Sequence, residues 1–326
     1  MLKKYDIIII GGGHAGVEAS CIASRMGSKV ALITFSKNNL GELSCNPSVG
    51  GLGKGHLVRE IDAMDGIMAR CADESGIHFR VLNRSKGSAV QGPRVQLDRE
   101  LYKKNIQKII ANEENLTVIE AEVLELIVAN KKIIGTKTTI GEIHSDAVII
   151  TAGTFLRGLM HEGKKQTKGG RIGEKESNLL SDSLKNLGFD LMRLKTGTPA
   201  RLNAKTINFS QCEIQPSDNP AEPMSFLTEE ISNDSVDCYL TKTNEKIHEM
   251  IRKNVDSAPL FNGQIDSTGP RYCPSIEDKV MRFPHHKTHT VFLEPEGLNS
   301  DIIYPNGIST SLPQDIQTKM IHSIKG

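Results

Sequence analysis

The segment that most constrains the fold of this chain runs from residue 5 to residue 34. Residues 5–10 (YDIIII) are a β-branched apolar run, which is typical of a strand buried in a parallel sheet. A glycine-rich turn follows at residues 11–16 (GGGHAG), and residues 17–26 have the small and apolar composition of a packed helix. Residues 29–34 (KVALIT) predict a second strand. This order of elements predicts the βαβ unit of a dinucleotide-binding fold.

The three spaced glycines of this turn have separate physical roles. Gly11 permits the tight turn, Gly13 lets backbone amides approach a pyrophosphate, and Gly16 lets helix and strand pack closely. The N-terminus of the helix that follows offers unpaired N–H groups and a partial positive charge to phosphates. The pattern therefore predicts a bound dinucleotide, and a purely structural turn is the alternative.

The second strand lacks the acidic residue that commonly holds a cofactor ribose, because residues 33–36 read ITFS. Glu42 is nearby but belongs to a loop, so the sequence leaves the ribose contact unassigned. Residues 149–154 (IITAGT) predict another strand and small turn, like those that close the cofactor domain of flavoproteins. Two such turns favour FAD over NAD in this domain, although the second turn could also be an ordinary connection.

Composition limits the class of protein. A length of 326 residues corresponds to about two domains. The 24% of charged residues and the net charge of +1 exclude a disordered tail, a coiled coil and a globally basic nucleic-acid coat. No apolar run approaches the roughly 18 residues of a membrane span, so we expect a soluble protein. Six cysteines without a C-x-x-C pair predict reduced thiols in the cytoplasm.

Residues 44–55 (SCNPSVGGLGKG) form a glycine-rich loop that fits neither of two familiar motifs. A phosphate-binding P-loop would need glycine at Ser48 and a hydroxyl residue at Gly55. A flavin disulfide reductase would need a second cysteine at Gly50. Cys45 is therefore a single thiol in a loop, with two open interpretations, a reactive nucleophile or an inert cysteine.

A second dense group of polar and turn residues occupies residues 269–279 (GPRYCPSIEDK). Such density in a loop favours a functional site, and Cys273 is its candidate thiol. His285, His286 and His289 follow closely, but cysteine or carboxylate partners at a firm spacing are missing. The three histidines therefore predict a solvated cluster rather than a metal site.

Charge is unevenly distributed along the chain. Residues 79–104 contain seven basic and two acidic side chains, and residues 157–201 contain ten and five. Residues 211–241 contain seven acidic side chains and no lysine or arginine, and we expect a surface loop or an irregular excursion of a second domain there. The basic stretches could bind a phosphate backbone, or they could be solvated faces balanced by the acidic stretch.

Taken together, these motifs resemble those of the tRNA uridine-5-carboxymethylaminomethyl modification enzymes, also called the glucose-inhibited division protein A family. The matching segments, in chain order, are residues 11–16, 44–58, 194–199 (LKTGTP), 269–283, 292–297 (FLEPEG) and 304–307 (YPNG). The resemblance implies an α/β fold in which a Rossmann-like FAD-binding domain carries an inserted second α/β domain. We expect the FAD-binding domain at residues 1–201, with a basic insertion near 79–104, and the NAD-interacting inserted domain at residues 202–326.

The resemblance also implies a function. Members of the family use FAD and NADH, work with a GTPase partner and take a one-carbon unit from methylene-tetrahydrofolate. They add an aminomethyl or carboxymethylaminomethyl group to C5 of the wobble uridine of tRNA, as cytoplasmic homodimers that form a heterotetramer with the GTPase. The alternatives are a folate- and FAD-dependent tRNA uracil-C5 methyltransferase and a truncated, non-catalytic module for dimerisation or docking.

Family members are about twice as long as this chain, so the resemblance implies an N-terminal portion without the C-terminal half, with weak FAD retention and poor activity. Carried over by position, the catalytic residues are Cys45 and Cys273. The implied FAD contacts are Gly11, Gly12, Gly13, His14, Ala15, Gly16, Val123 and Ser177. The implied NAD-linked residues are Gly269, Pro270, Arg271, Tyr272, Cys273, Pro274, Ser275, Ile276, Glu277, Asp278, Lys279, Val280, Met281, Arg282 and Phe283.

Overall fold

The computed structural model describes residues 4–265 and 274–326. Its strands are β1 (Lys4–Ile10), β2 (Val30–Thr34), β3 (Ser48–Gly50), β4 (Gly76–Leu82), β5 (Gly92–Leu97), β6 (Leu116–Glu120), β7 (Val123–Ala129), β8 (Lys132–Thr138), β9 (Gly141–Ile150), β10 (Leu159–Glu162), β11 (Lys165–Lys168), β12 (Leu202–Asn203), β13 (Glu213–Gln215), β14 (Cys238–Lys242), β15 (Thr290–Pro295) and β16 (Ile302–Asn306). Its helices are α1 (His14–Arg25), α2 (Lys54–Ala63), α3 (Met68–Ser75), α4 (Arg99–Asn112), α5 (Leu179–Asn186), α6 (Glu245–Asn254), α7 (Ile276–Arg282) and α8 (Gln314–Ile321).

The first sheet has six strands in the order β6-β2-β1-β9-β8-β7. β1 lies between two parallel neighbours, with Ile8 paired to Ala31 on one side and to Val148 on the other. Since β1 is covered by packing on both faces, its apolar residues need not alternate with polar ones. The predicted strand, glycine turn, helix and strand are all present, which confirms the α/β prediction.

A second sheet contains five antiparallel strands in the order β12-β16-β15-β14-β13. Helices α6, α7 and α8 supply much of its apolar core, which includes Ile251, Val280 and Met320. β12 begins at Leu202, next to the boundary expected between the two domains, and that boundary stays a prediction. The expected basic insertion lies mostly on a separate three-stranded sheet, β3-β5-β4, and on the start of α4.

Helix α2 packs through Gly55 and Val58, which are buried, and leaves Leu57 exposed, as is Met64 just after its end. A Cβ atom on Gly55 would come within 2.5 Å of the carbonyl oxygen of Pro93, so the helix approaches β5 through a face that only glycine permits.

The acidic stretch is more than a surface loop, because part of it enters the hydrophobic core that is built around β1 and α1. Met224 is fully buried in the hydrophobic cluster that contains β1 and α1 residues. The Asp73 carboxylate accepts hydrogen bonds from the backbone N–H groups of Met224 at 2.7 Å and Ser225 at 2.9 Å. Asp62 accepts from the Ser225 hydroxyl and from the N–H of Phe226, both at 2.7 Å. Two buried carboxylates thus attach this stretch to helices α2 and α3.

No helix in the two described ranges is long and apolar enough to cross a membrane.

We expect D73A to lower the free energy of unfolding by about 2–4 kcal/mol, because it leaves two buried N–H groups without an acceptor. Urea unfolding monitored by circular dichroism measures this loss. D234A removes an exposed acid from the same stretch and is the matched control. Equal stability of D73A and D234A would contradict the attachment described here.

Candidate active site

A cleft of about 380 Å³ opens at the carboxyl ends of β1, β2 and β9. This is the edge at which open parallel sheets bind ligands. The cleft brings together most of the predicted FAD contacts, namely Gly11, Gly12, Gly13, His14, Ala15, Val123 and Ser177. Gly16 lies under this wall, where α1 meets β1.

Three glycines shape the wall of the cleft in different ways. Gly11 has a φ of +109°, and a Cβ atom there would lie 2.6 Å from the carbonyl oxygen of Thr151. A Cβ atom on Gly16 would lie 1.8 Å from the carbonyl oxygen of Gly11, so any other residue would push the helix away. A Cβ atom on Gly13 would meet no atom within 4 Å. The turn is therefore tightly packed at Gly11 and Gly16 and faces open space at Gly13. A pyrophosphate that approaches the backbone amides requires this arrangement.

His14 forms part of the same wall at the first turn of α1. Its ring lies 5.7 Å from the ring of Tyr102, and its Nε2 is buried without a hydrogen-bond partner in the described residues. Burial, with the nearby Lys54 ammonium as a second cause, lowers the pKa of His14 to about 4. The imidazole is therefore neutral near pH 7 and can donate or accept one hydrogen bond from a ligand.

Glu42 lines the cleft, but its carboxylate is already engaged. It lies 3.0 Å from the Arg99 guanidinium and 3.2 Å from the Lys103 ammonium. Burial alone would raise the pKa of Glu42, but its hydrogen bonds to these two cations lower it. The end of β2 instead presents Phe35, whose ring is 5.8 Å from that of Phe155 across the cleft. This part of the cleft is therefore aromatic where other dinucleotide folds place an acid.

Cys45 lies beside the cleft, since the preceding residue Ser44 is part of its wall. The Cys45 carbonyl oxygen accepts hydrogen bonds from Arg201 at 2.6 Å and from Arg99 at 3.3 Å. The Cys45 sulfur lies 3.3 Å from the hydroxyl of Tyr304, a residue of the second sheet. The thiol therefore faces polar groups at the junction of the two sheets.

The other described cysteines have different surroundings. Cys21, Cys71 and Cys238 are buried, and burial raises the pKa of each to about 12. Burial also raises the pKa of Cys212, which is partly exposed. All five described cysteines are free thiols, and Cys273 lies outside the described residues.

The implied NAD-linked segment does not line this cleft in its described part, residues 274–283. The residues that fall outside the described ranges are Gly269, Pro270, Arg271, Tyr272 and Cys273. Ser275 caps α7 by accepting a hydrogen bond from the N–H of Asp278 at 3.2 Å. Glu277 is buried and accepts a hydrogen bond from the Thr310 hydroxyl at 2.6 Å. The described part of the segment is therefore integrated into the second sheet and its helices.

The two basic stretches differ in how far their charges are paired. Five of the seven basic side chains of residues 79–104 form ion pairs with acids, among them Arg80 and Arg84 with Asp218. The acidic stretch therefore pairs with two of these side chains, while Glu294 and Glu42 pair with the other three. In the second stretch, the hairpin of β10 and β11 exposes Lys164, Lys165 and Lys168.

The histidines predicted as a cluster do meet in space. The rings of His285 and His286 are 4.5 Å apart, those of His286 and His289 are 5.9 Å apart, and His248 lies 5.2 Å from His289. Sequence reasoning missed His248, which is distant in the chain. Within residues 4–265 and 274–326, no group of three or more His, Cys, Asp or Glu side chains is arranged to hold a metal ion.

A second hollow of about 410 Å³ lies between α2 and the three-stranded sheet, beside His56 and Arg59. None of the predicted site residues lines it. Arg59 there is paired with Glu222 at 3.0 Å, which leaves the hollow with little net charge.

Comparison with known proteins places these features in one family. The tRNA uridine 5-carboxymethylaminomethyl modification enzyme MnmG of Aquifex aeolicus is 46% identical over 334 residues, which cover 100% of this chain and 54% of that protein. The protein of the same name from Thermodesulfovibrio yellowstonii is 52% identical over 325 residues, which cover 99% of this chain and 52% of that protein. The form I crystal structure of Aquifex aeolicus GidA superposes with a TM-score of 0.93 at 47% identity, covering 99% of this chain and 55% of that one.

The chain thus spans about half the length of the curated relatives it matches. The sequence model of the family described as glucose inhibited division protein A matches residues 6–326. This chain therefore belongs to the glucose inhibited division protein A family.

Proposed function

We propose that this chain is part of a FAD- and NADH-dependent enzyme that modifies C5 of the wobble uridine of tRNA. In this proposal the enzyme acts in the cytoplasm as a homodimer, with a GTPase partner, and adds an aminomethyl or carboxymethylaminomethyl group whose one-carbon unit comes from methylene-tetrahydrofolate. The observation that carries the proposal is the position of Cys45 beside a cleft whose wall has the shape of a pyrophosphate cradle.

The cofactor assignment rests on the residues of the cleft. The open space beside Gly13 and the N-terminus of α1 would hold the FAD pyrophosphate, and Val123 and Ser177, which also line the cleft, would contact the cofactor. Phe35 and Phe155 offer flat apolar surface for a ring of the cofactor. When bound, FAD supplies the redox chemistry that NADH replenishes. Residues 274–283, on the second sheet, would belong to the part that interacts with NADH.

A thiol explains how uracil C5 becomes reactive. A thiolate adds to C6, and the electron pair of the C5–C6 double bond forms an enolate with nucleophilic C5. C5 then attacks the one-carbon electrophile, a base removes the C5 proton, and loss of the thiolate restores the double bond. We assign thiolate addition and assistance in proton removal to Cys45 and Cys273 as a pair, without an order between them.

The charge distribution supports the β10–β11 hairpin as the part of this chain that contacts tRNA phosphates. Lys164, Lys165 and Lys168 are exposed there, whereas most of the first basic stretch is paired with acids. Phosphate contacts need cations that are free to replace counterions. The hairpin also leads back to the cysteine loop, because Arg171 donates a hydrogen bond to the Ser44 hydroxyl at 3.1 Å.

We expect G13A to weaken FAD binding at least about tenfold, because its methyl group would enter the space proposed for the pyrophosphate. The Gly13 φ of −75° is allowed for alanine, so stability should be preserved. Fluorescence titration with FAD and thermal unfolding measure the two quantities. G87A is the matched control, since Gly87 also has open space around its Cβ position and a φ of −60°. Equal FAD affinity of both variants would exclude the position proposed here for the FAD pyrophosphate beside Gly13.

We expect C45S and C273S each to reduce tRNA modification at least about a hundredfold, because the serine hydroxyl is a far weaker nucleophile than a thiolate. The measurement is the mass of the modified nucleoside from tRNA incubated with the protein, its GTPase partner and the cofactors. FAD content should stay unchanged in both variants. C212S is the control, because the Cys212 thiol is partly exposed and its sulfur contacts the carbonyl oxygen of Asn208 rather than Tyr304.

Full activity in both cysteine variants would refute the thiol mechanism. A nucleoside that carries only a methyl group would instead identify a tRNA uracil-C5 methyltransferase. Absence of flavin bleaching on addition of NADH, with tRNA unmodified, would favour a non-catalytic docking or dimerisation module.

A further inference from the structure

Three segments that the proposed function leaves without a role meet at Cys45. Residues 194–199 supply the carbonyl oxygen of Gly197, which lies 3.8 Å from the Cys45 sulfur. Residues 304–307 supply the Tyr304 hydroxyl at 3.3 Å from the same sulfur. Residues 292–297 supply Glu296, which binds both arginines that hold the Cys45 backbone. Sequence segments far apart in the chain thus converge on one thiol.

The backbone of Cys45 is held by a network of charged groups. Arg201 and Arg99 donate to its carbonyl oxygen, and Glu296 lies 2.9 Å from Arg201 and 3.3 Å from Arg99. Because one carboxylate bridges two planar guanidinium groups, both arginines are restrained in their orientation. The Cys45 carbonyl therefore has a defined position relative to the second sheet.

The side chain of Tyr304 is restrained as strictly. It belongs to β16, between β12 and β15, and is only 3% exposed. The Arg201 guanidinium lies over its ring at 4.7 Å from the centroid, a favourable cation–π arrangement. Arg201 thus contacts both the carbonyl of Cys45 and the ring of Tyr304, and it aligns the hydroxyl with the sulfur.

We propose that Tyr304 is a positioning residue for Cys45, whose hydroxyl donates a hydrogen bond to the Cys45 thiolate while Arg201 holds the two residues together. This inference rests on the proposed function, in which Cys45 acts as a thiolate. A phenol can serve as this donor only while it keeps its proton. Burial, together with the nearby Cys45, raises the pKa of Tyr304 well above its usual value, so the hydroxyl keeps its proton and remains a donor.

Removing this donor should make the thiolate harder to form. A hydrogen bond to a charged group is strong enough to move a titration by about one pH unit. We therefore expect Y304F to shift the pH profile of Cys45 alkylation by iodoacetamide to higher pH by about one unit. The profile is read from the alkylated Cys45 peptide by mass spectrometry, which separates it from the other cysteines. No tRNA, flavin or nicotinamide is present in this measurement.

The matched control is Y239F. Tyr239 lies on β14 of the same sheet, where its ring packs against that of Phe209, with 4.5 Å between the centroids. Within the described residues, its hydroxyl forms no hydrogen bond with a cysteine sulfur. Y239F should leave the Cys45 profile unchanged, and thermal unfolding of both variants reports on folding. An unshifted profile in folded Y304F, or an equal shift in Y239F, would overturn the inference.

A second variant covers the case in which Y304F does not fold. R201K keeps a positive charge but loses the planar group that contacts both the Tyr304 ring and the Cys45 carbonyl. It should shift the profile in the same direction, and an unshifted profile would overturn the inference. Failure of this inference and failure of the thiol mechanism are distinguishable. A fully active C45S would refute the mechanism, whereas the alkylation profile is read only from proteins that keep Cys45.

Discussion

The close approach of helix α1 to strand β1 is the contact on which the site depends. Gly16 sits where a Cβ atom would lie 1.8 Å from the carbonyl oxygen of Gly11, so the helix begins directly above the end of the strand. Thr151, at the end of β9, donates its hydroxyl to the Ile10 carbonyl and completes the same corner. The free N–H groups of α1 consequently face the cleft. A larger residue at Gly16 would displace the helix and misalign the wall.

The contact between the three-stranded sheet and the five-stranded second sheet is the second constraint, and it is made of buried charge. Arg94, in the three-stranded sheet, pairs with Glu294 of β15 at 2.6 Å, and Asn306 donates to the same carboxylate. Burial raises the pKa of Glu294, although Arg94 opposes that effect. A buried pair of this kind contributes little net stability, but breaking it leaves an unpaired charge in the interior. Its main effect is therefore to define how the sheets meet around Cys45.

Local pattern was sufficient to predict the elements but not the contacts between distant ones. The β-branched run of β1, the glycine turn after it and the strand β2 each depend on neighbouring residues. In contrast, Met224 is fixed in the core by a hydrogen bond to Asp73, which is about half the chain away. Nothing in the sequence of an acidic stretch predicts that its backbone N–H groups will bind the carboxylates of other acids. Cys45 was identifiable as a loop thiol, whereas its partner Tyr304 is 259 residues distant. The sequence left open whether the basic stretches bind phosphates or are balanced by the acidic stretch, because pairs such as Arg80 with Asp218 join residues that are distant in the chain.

The residues predicted to contact FAD and those predicted to interact with NAD lie in different parts of the structure, and Cys45 lies between them. The glycine turn and Ser177 line the cleft of the first sheet, while residues 274–283 are built into the second. Cys45 lies between the two parts, since the preceding residue Ser44 belongs to the cleft wall and the Cys45 sulfur contacts Tyr304 of the second sheet. A reaction that draws on both parts must bring its substrate to the place where they meet. Among the described cysteines, Cys45 is the one at that place, and the charged network around Glu296 keeps it there.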